Sequence, residues 1–190
     1  HGQIRRQRQM CIRDRVPTLK VLNDEFDIQS GHIESVHSYT NDQNLIDNFH
    51  KKVRRGRSAA LNMVITETGA GKAVGQVLPE LKGKLTANAV RVPTPNVSLA
   101  IINLRFAKDI TLEELNDFLR QKAFHSDLKE QIGFTNSPEV VSTDFVGDRH
   151  AGIIDSAATI VNGNKCVLYV WYDNEFGYTA QLLGLAKEMV

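Results

Sequence analysis

The residues able to do chemistry gather in three places along the chain. His37 stands in Val36-His37-Ser38-Tyr39-Thr40-Asn41-Asp42-Gln43, at the end of a strand-like run and the start of a polar, basic loop. An imidazole titrates near neutral pH and can act there as a general base, although most histidines in such positions are simply hydrogen-bonded structural residues. Thr40, Asp42 and Arg91 form a candidate anion cluster, with Arg91 at a strand end before Pro93-Thr94-Pro95-Asn96. A guanidinium can grip a phosphate through two parallel bonds and a threonine hydroxyl can add a third donor; a surface arginine paired with a nearby acid is the other reading. The third place is Thr68 followed by Gly69-Ala70-Gly71-Lys72-Ala73-Val74-Gly75. Its GxGxxxG spacing is not the dinucleotide fingerprint, Arg91 stands about 20 residues on where an acid would bind a ribose, and no Ser or Thr follows Lys72 as a P-loop requires. The start of a helix at Thr68 and Gly69 would offer free N–H groups to a phosphate, or the small residues would serve close packing.

Elements must hold these groups in place. Pro17 to Phe26 carries apolar residues at 19, 22 and 26, a helical stripe. Strands are expected over Gly31 to Tyr39, Ala59 to Thr66, Leu85 to Val92, Val97 to Phe106, Val140 to Asp144, Asp155 to Val161 and Lys165 to Tyr172. Helices are expected over Gly69 to Leu81, from the Thr111-Leu112-Glu113-Glu114 capping box to Gln121, over His125 to Ile132, and over Glu175 to Val190. Asn162-Gly163 signals a hairpin, and Thr40 to Ser58 is a long polar loop of the kind that is usually functional. This order gives an α+β fold with a mixed, largely antiparallel sheet covered by helices.

The 190 residues suffice for a substantial core, and 42% hydrophobic with 24% charged residues is ordinary for a globular domain. The net charge of +1 hides an asymmetry: residues 1–15 hold five arginines against Asp14, which is +4 and leaves −3 for residues 16–190. The body is therefore not expected to bind nucleic acid, and no apolar run is long enough to span a membrane. Two cysteines, Cys11 and Cys166, make no disulfide framework and fit a reducing, cytoplasmic setting; Cys166 reads as a buried strand residue, and no Cys/His spacing suggests a metal.

Four motifs in order carry a family resemblance: Val36 to Gln43, Arg54-Arg55-Gly56-Arg57-Ser58-Ala59-Ala60, Arg91-Val92-Pro93-Thr94-Pro95-Asn96-Val97-Ser98, and Trp171-Tyr172-Asp173-Asn174-Glu175-Phe176-Gly177-Tyr178. From Val16 onward the chain resembles the C-terminal catalytic domain of phosphorylating glyceraldehyde-3-phosphate dehydrogenase. The resemblance implies an NAD-dependent oxidoreductase of glycolysis and gluconeogenesis that converts glyceraldehyde 3-phosphate and inorganic phosphate to 1,3-bisphosphoglycerate through a cysteine thioester. It implies His37 as general base, Thr40 and Arg91 as ligands of the substrate phosphate, and Thr68 and Gly69 as part of the site for the attacking phosphate. Asn174 would hold the nicotinamide carboxamide with Tyr178 beside that ring, and the loop from Thr40 to Ser58 would line the cofactor and a homotetramer interface. A relative acting on erythrose 4-phosphate shares this scaffold, and Gly71 stands where alanine is common in the family.

The resemblance fails at one place. The family nucleophile belongs to S-C-T-T-N-C-x-x-P; with Pro17 aligned to that proline, the nucleophile falls on Met10 and the second cysteine on Asp14. Cys11 is one residue out of register, about 100° around a helix, and a thioether cannot form a thiolate. Residues 1–15 thus read as an unmatched, foreign or disordered segment, residues 16–190 as the catalytic domain, and the family's NAD-binding Rossmann unit is not matched. The chain is expected to bind NAD weakly or not at all and to be inactive, with a non-catalytic fragment or oligomerisation module as the alternative.

Overall fold

The computed structural model describes residues 15–189. Its frame is a seven-stranded mixed sheet of β1 (Ile28–Ser38), β2 (Val64–Thr66), β3 (Leu85–Val92), β4 (Ser98–Phe106), β5 (Ile132–Thr135), β6 (Gly152–Asn162) and β7 (Lys165–Tyr172), in the order β2-β3-β1-β4-β7-β6-β5. The β1/β3 and β5/β6 pairs are parallel; the other pairs are antiparallel. Four helices accompany it among the described residues: α1 (Val16–Phe26), α2 (Ala70–Val77), α3 (Leu112–His125) and α4 (Phe176–Glu188). The fold is α+β with a mixed, mainly antiparallel sheet, and among the described residues no helix is long and apolar enough to cross a membrane.

The sequence explains the helix against the sheet. Pro17 supplies a preset φ in the first turn of α1, where its missing N–H costs nothing. Leu19 and Leu22 from its apolar stripe are fully buried with Ile33, Ile102, Leu115 and Leu168 in one core. The helix stops at Asp27, whose backbone is left-handed (φ 52°) and whose N–H bonds to Asn23 O. Thr111 and Glu114 complete the expected capping box of α3. In the β6–β7 hairpin Asn162 pairs with Lys165, so the turn is Gly163-Asn164, with Gly163 at φ 59°; Asn162 itself ends the strand.

Three elements differ from expectation, each because a side chain closes a local turn. His125 to Ile132 is no separate helix: α3 ends at His125, Ser126 Oγ donates to Lys122 O and accepts from Leu128 N, and Ile132 starts β5. Val140 to Asp144 is not a strand, because Asp144 accepts the Val141 N–H at 2.7 Å and a 3-10 turn forms over Ser142–Phe145. Of Ala59 to Thr66 only the last three residues join the sheet; before them Asn62 Nδ2 donates back to Ser58 O.

Gly31 marks the tightest approach of β1 to β4: a Cβ there would lie 2.6 Å from Asn103 O and 2.7 Å from a Leu104 methyl. Since backbone cannot yield as a flexible side chain can, Gly31→Ala is expected to destabilise the domain by about 1–3 kcal/mol. Urea unfolding of that variant checks this; a midpoint within error of the parent would show that β4 shifts freely.

Candidate functional site

The parallel pairing of β1 with β3 sets His37 directly opposite Arg91 at the carboxyl ends of both strands. His37 is buried, and its ring meets the Tyr172 ring edge-on at 6.3 Å. Asn174, just past β7, presents Nδ2 to His37 Nε2 at 3.1 Å. The orientation of that carboxamide is set on its other side, where Oδ1 accepts from the hydroxyls of Ser38 (3.1 Å) and Ser98 (2.8 Å). Nε2 is therefore an acceptor, and the ring proton sits on Nδ1, which donates to Ser38 O at 2.7 Å. Arg91 Nη1 donates to the same carbonyl at 3.0 Å and to Thr40 Oγ1 at 3.3 Å, and lies 3.0 Å from Nδ1.

These contacts decide the charge on the ring. Burial and the Arg91 cation beside it push the His37 pKa down to about 3, with Arg15 and Arg55 adding to the effect. The imidazole is neutral at neutral pH, with one basic lone pair at Nε2. It can take a proton there once Asn174 yields or a new anion enters.

The structure thus unites His37, Thr40, Arg91 and Asn174 in one network. Asp42 does not share in an anion site: its carboxylate pairs with Arg55, which also donates to Thr66 Oγ1, and with His50 at 3.6 Å. Thr68 and Gly69 stand outside the network. β2 runs from opposite Arg91 to opposite Ala89, away from His37, before the chain reaches them. Thr68 Oγ1 accepts from Ala70 N at 3.3 Å and Gly69 is exposed with open space around it. The small residues of α2 serve packing: a Cβ on Gly71 would lie 3.2 Å from Leu85 O, and one on Gly75 3.2 Å from Lys82 Cα. Tyr178 sits half-buried in α4, one turn after Asn174. Met10 and Cys11 lie outside the described residues. Cys166 is the cysteine that is described; it is buried in β7, where burial pushes its thiol up to about 12, so it offers no thiolate.

Sequence reasoning missed four contributors. Ser38 and Ser98 aim Asn174, but two serines at 60 residues' separation give no local signal. Asp173 before a helix start fits an N-cap pattern and was legible on that ground. Arg15 belongs to the segment that the sequence sets apart, yet its side chain is fully buried, donating to Ser35 Oγ at 2.6 Å and lying 5.8 Å over the Tyr172 ring.

Two comparisons with known proteins bear on this arrangement. The family described as "Glyceraldehyde 3-phosphate dehydrogenase, C-terminal domain" matches residues 13–174. A "Glyceraldehyde-3-phosphate dehydrogenase-like protein" of Pseudomonas aeruginosa is 66% identical over 92% of this chain and 38% of its own length. Glyceraldehyde-3-phosphate dehydrogenases of Priestia megaterium and Borreliella burgdorferi are 47% and 45% identical, over 90% and 92% of this chain and 51% and 52% of their own. The chain spans about half the length of the latter two relatives, and less of the first.

A histidine held neutral makes stability depend on pH. The unfolded chain takes up a proton near 6.5 while folded His37 refuses it until about 3. The stabilisation is therefore complete above the unfolded value and is lost as pH falls through that window, by about 2 kcal/mol between pH 7 and 5. His37→Gln is expected to flatten this part of the pH profile in denaturant titrations. An unchanged slope in that variant would assign the pH dependence to other groups.

Proposed function

Because the chain belongs to the glyceraldehyde 3-phosphate dehydrogenase C-terminal domain family, we propose that residues 16–190 are the catalytic, substrate-binding half of an oxidoreductase. Its reaction is the NAD-dependent conversion of glyceraldehyde 3-phosphate and inorganic phosphate to 1,3-bisphosphoglycerate. The observation that carries this reading is the juxtaposition of the neutral His37 lone pair with Arg91, which is braced by Ser38 O and Thr40. Arg91 and Thr40 bind the substrate phosphate, and His37 Nε2 takes the proton released at the aldehyde carbon's new hydroxyl. Thr68 and Gly69 are assigned to the attacking phosphate from the family resemblance alone.

Among the described residues, those of this site fit the nicotinamide end of the cofactor. Asn174 Nδ2 keeps one N–H beyond its bond to His37, while its Oδ1 is already occupied by two hydroxyls. That N–H would hold a carboxamide oxygen, with Tyr178 beside it, and the bound dinucleotide would supply the hydride acceptor.

For the present sequence we infer binding without turnover, in a cytoplasmic setting. Position 10 is methionine and position 11 cysteine, so His37 has no thiol in register to activate. Anion binding and turnover are separable in experiment. Inorganic phosphate at Arg91 cancels the second cause of the His37 depression and is expected to raise its titration midpoint by NMR. Arg91→Met should raise the midpoint itself and abolish the response; a phosphate response that survives in Arg91→Met rejects the anion site. With glyceraldehyde 3-phosphate, NAD and phosphate together no NADH is expected. NADH formation blocked by thiol alkylation would show that Cys11 does serve.

The partner is a further copy of the chain. Leu45, Ile46, Phe49, Val53, Leu61 and Met63 are all more than two-thirds exposed on the segment between β1 and β2, and large exposed apolar patches mark interaction surfaces. Sedimentation of the 21.2 kDa chain is expected to show oligomers; a monomer at every concentration rejects this assignment.

A further inference from the structure

Directly before Asn174 stands a carboxylate that none of this chemistry uses. Asp173 is 1% exposed, and donors reach it from three separate parts of the chain. Its Oδ1 accepts the N–H of Glu175 at 3.0 Å and of Phe176 at 2.8 Å, at the free N-terminus of α4. Its Oδ2 accepts Gly147 N, just after the 3-10 turn, and Asn96 Nδ2 from the Pro-rich turn, both at 2.9 Å. A buried carboxylate persists only with such a set of donors.

Asn96 extends this brace toward the site. Its Oδ1 accepts Val97 N at 2.7 Å, and Val97 has φ 62°, a left-handed conformation that a β-branched residue rarely adopts. Such strain survives only where the surroundings over-determine it. The next residue is Ser98, whose hydroxyl donates to Asn174 Oδ1 at 2.8 Å. Two of the three supports of the Asn174 carboxamide, its own backbone and the Ser98 hydroxyl, lead back to Asp173; the third is the Ser38 hydroxyl.

We propose that Asp173 is the positioning residue of the site: it holds the Asn174 carboxamide against His37 Nε2 and so governs access to the basic lone pair. It touches no reacting atom and acts through Asn174. The inference rests on reading His37 and Asn174 as one site, but not on turnover.

The test is the rate at which diethyl pyrocarbonate acylates His37 in the full 190-residue chain, read residue by residue by mass spectrometry, with His32 as reference. Asn174→Ala is expected to speed modification of His37 several-fold by uncovering Nε2. Asp173→Asn, which places an amide NH2 among N–H donors, is expected to give the same acceleration, and the double variant no more than either. His32 keeps its rate throughout. Asp173→Asn at the parent rate, or a double variant whose factor is the product of the two, overturns the proposal, since a merely structural role would add independently. Should Asp173→Asn not fold, seen as acceleration at His32 too, Asn96→Ala takes its place. It is expected to give a smaller acceleration that vanishes in the Asn174→Ala background, and a parent-like rate in Asn96→Ala overturns the proposal. Asn174→Ala at the parent rate refutes the His37 contact itself, whatever a turnover assay reports.

Discussion

A buried imidazole with a guanidinium nitrogen 3.0 Å from its ring stays neutral, and the rest of the site is arranged around that fact. Neutrality gives the ring one donor and one acceptor, so the partners must be an acceptor on one side and a donor on the other. Ser38 O and Asn174 Nδ2 are those partners. The hydroxyls of Ser38 and Ser98 then have no freedom either, because Asn174 must turn its oxygen away from His37 and toward them. One electrostatic constraint thereby fixes a tautomer, an amide orientation and two hydroxyl rotors.

The sheet makes this possible by joining distant segments in a single register. His37 and Arg91 meet because β1 and β3 are parallel neighbours, and Ser98 and Tyr172 meet because β4 and β7 are antiparallel ones. The site lies where these strands end, so its side chains come from rigid ends and its backbone groups from the turns that follow. Val97 shows the cost: its left-handed backbone is tolerated because Asn96 and Asp173 hold the turn on both sides.

Much of this was legible beforehand. Periodicity and capping chemistry announced α1, β3, β4, α3 and β7 because each buries a regular stripe or starts on its own cap. The segments that misled were short, and in each a serine, aspartate or asparagine hydrogen bond to nearby backbone outweighed strand or helix propensity. His37, Thr40, Arg91 and Asn174 stood out as types in motifs, but their joining depends on sheet register, which no local pattern encodes. Asp42 misled for the same reason: adjacency to Thr40 suggested an anion site, whereas Arg55, 13 residues on, claims its carboxylate.

The charge around His37 carries the last step. Arg91, Arg15 and Arg55 all act on the ring in the same sense, and Ser38 O opposes them only partly. A base with a pKa of about 3 is poor at neutral pH, so a site built this way works only when anions enter it. A phosphate on Arg91 and a thiolate at Nε2 are two such anions, and each would favour the imidazolium that proton abstraction creates. On the proposed reading, methionine at position 10 supplies no such thiolate, while the cationic surroundings of His37 remain. The arrangement that would make a histidine an effective base in the presence of both anions makes it a resting, neutral acceptor in the absence of one.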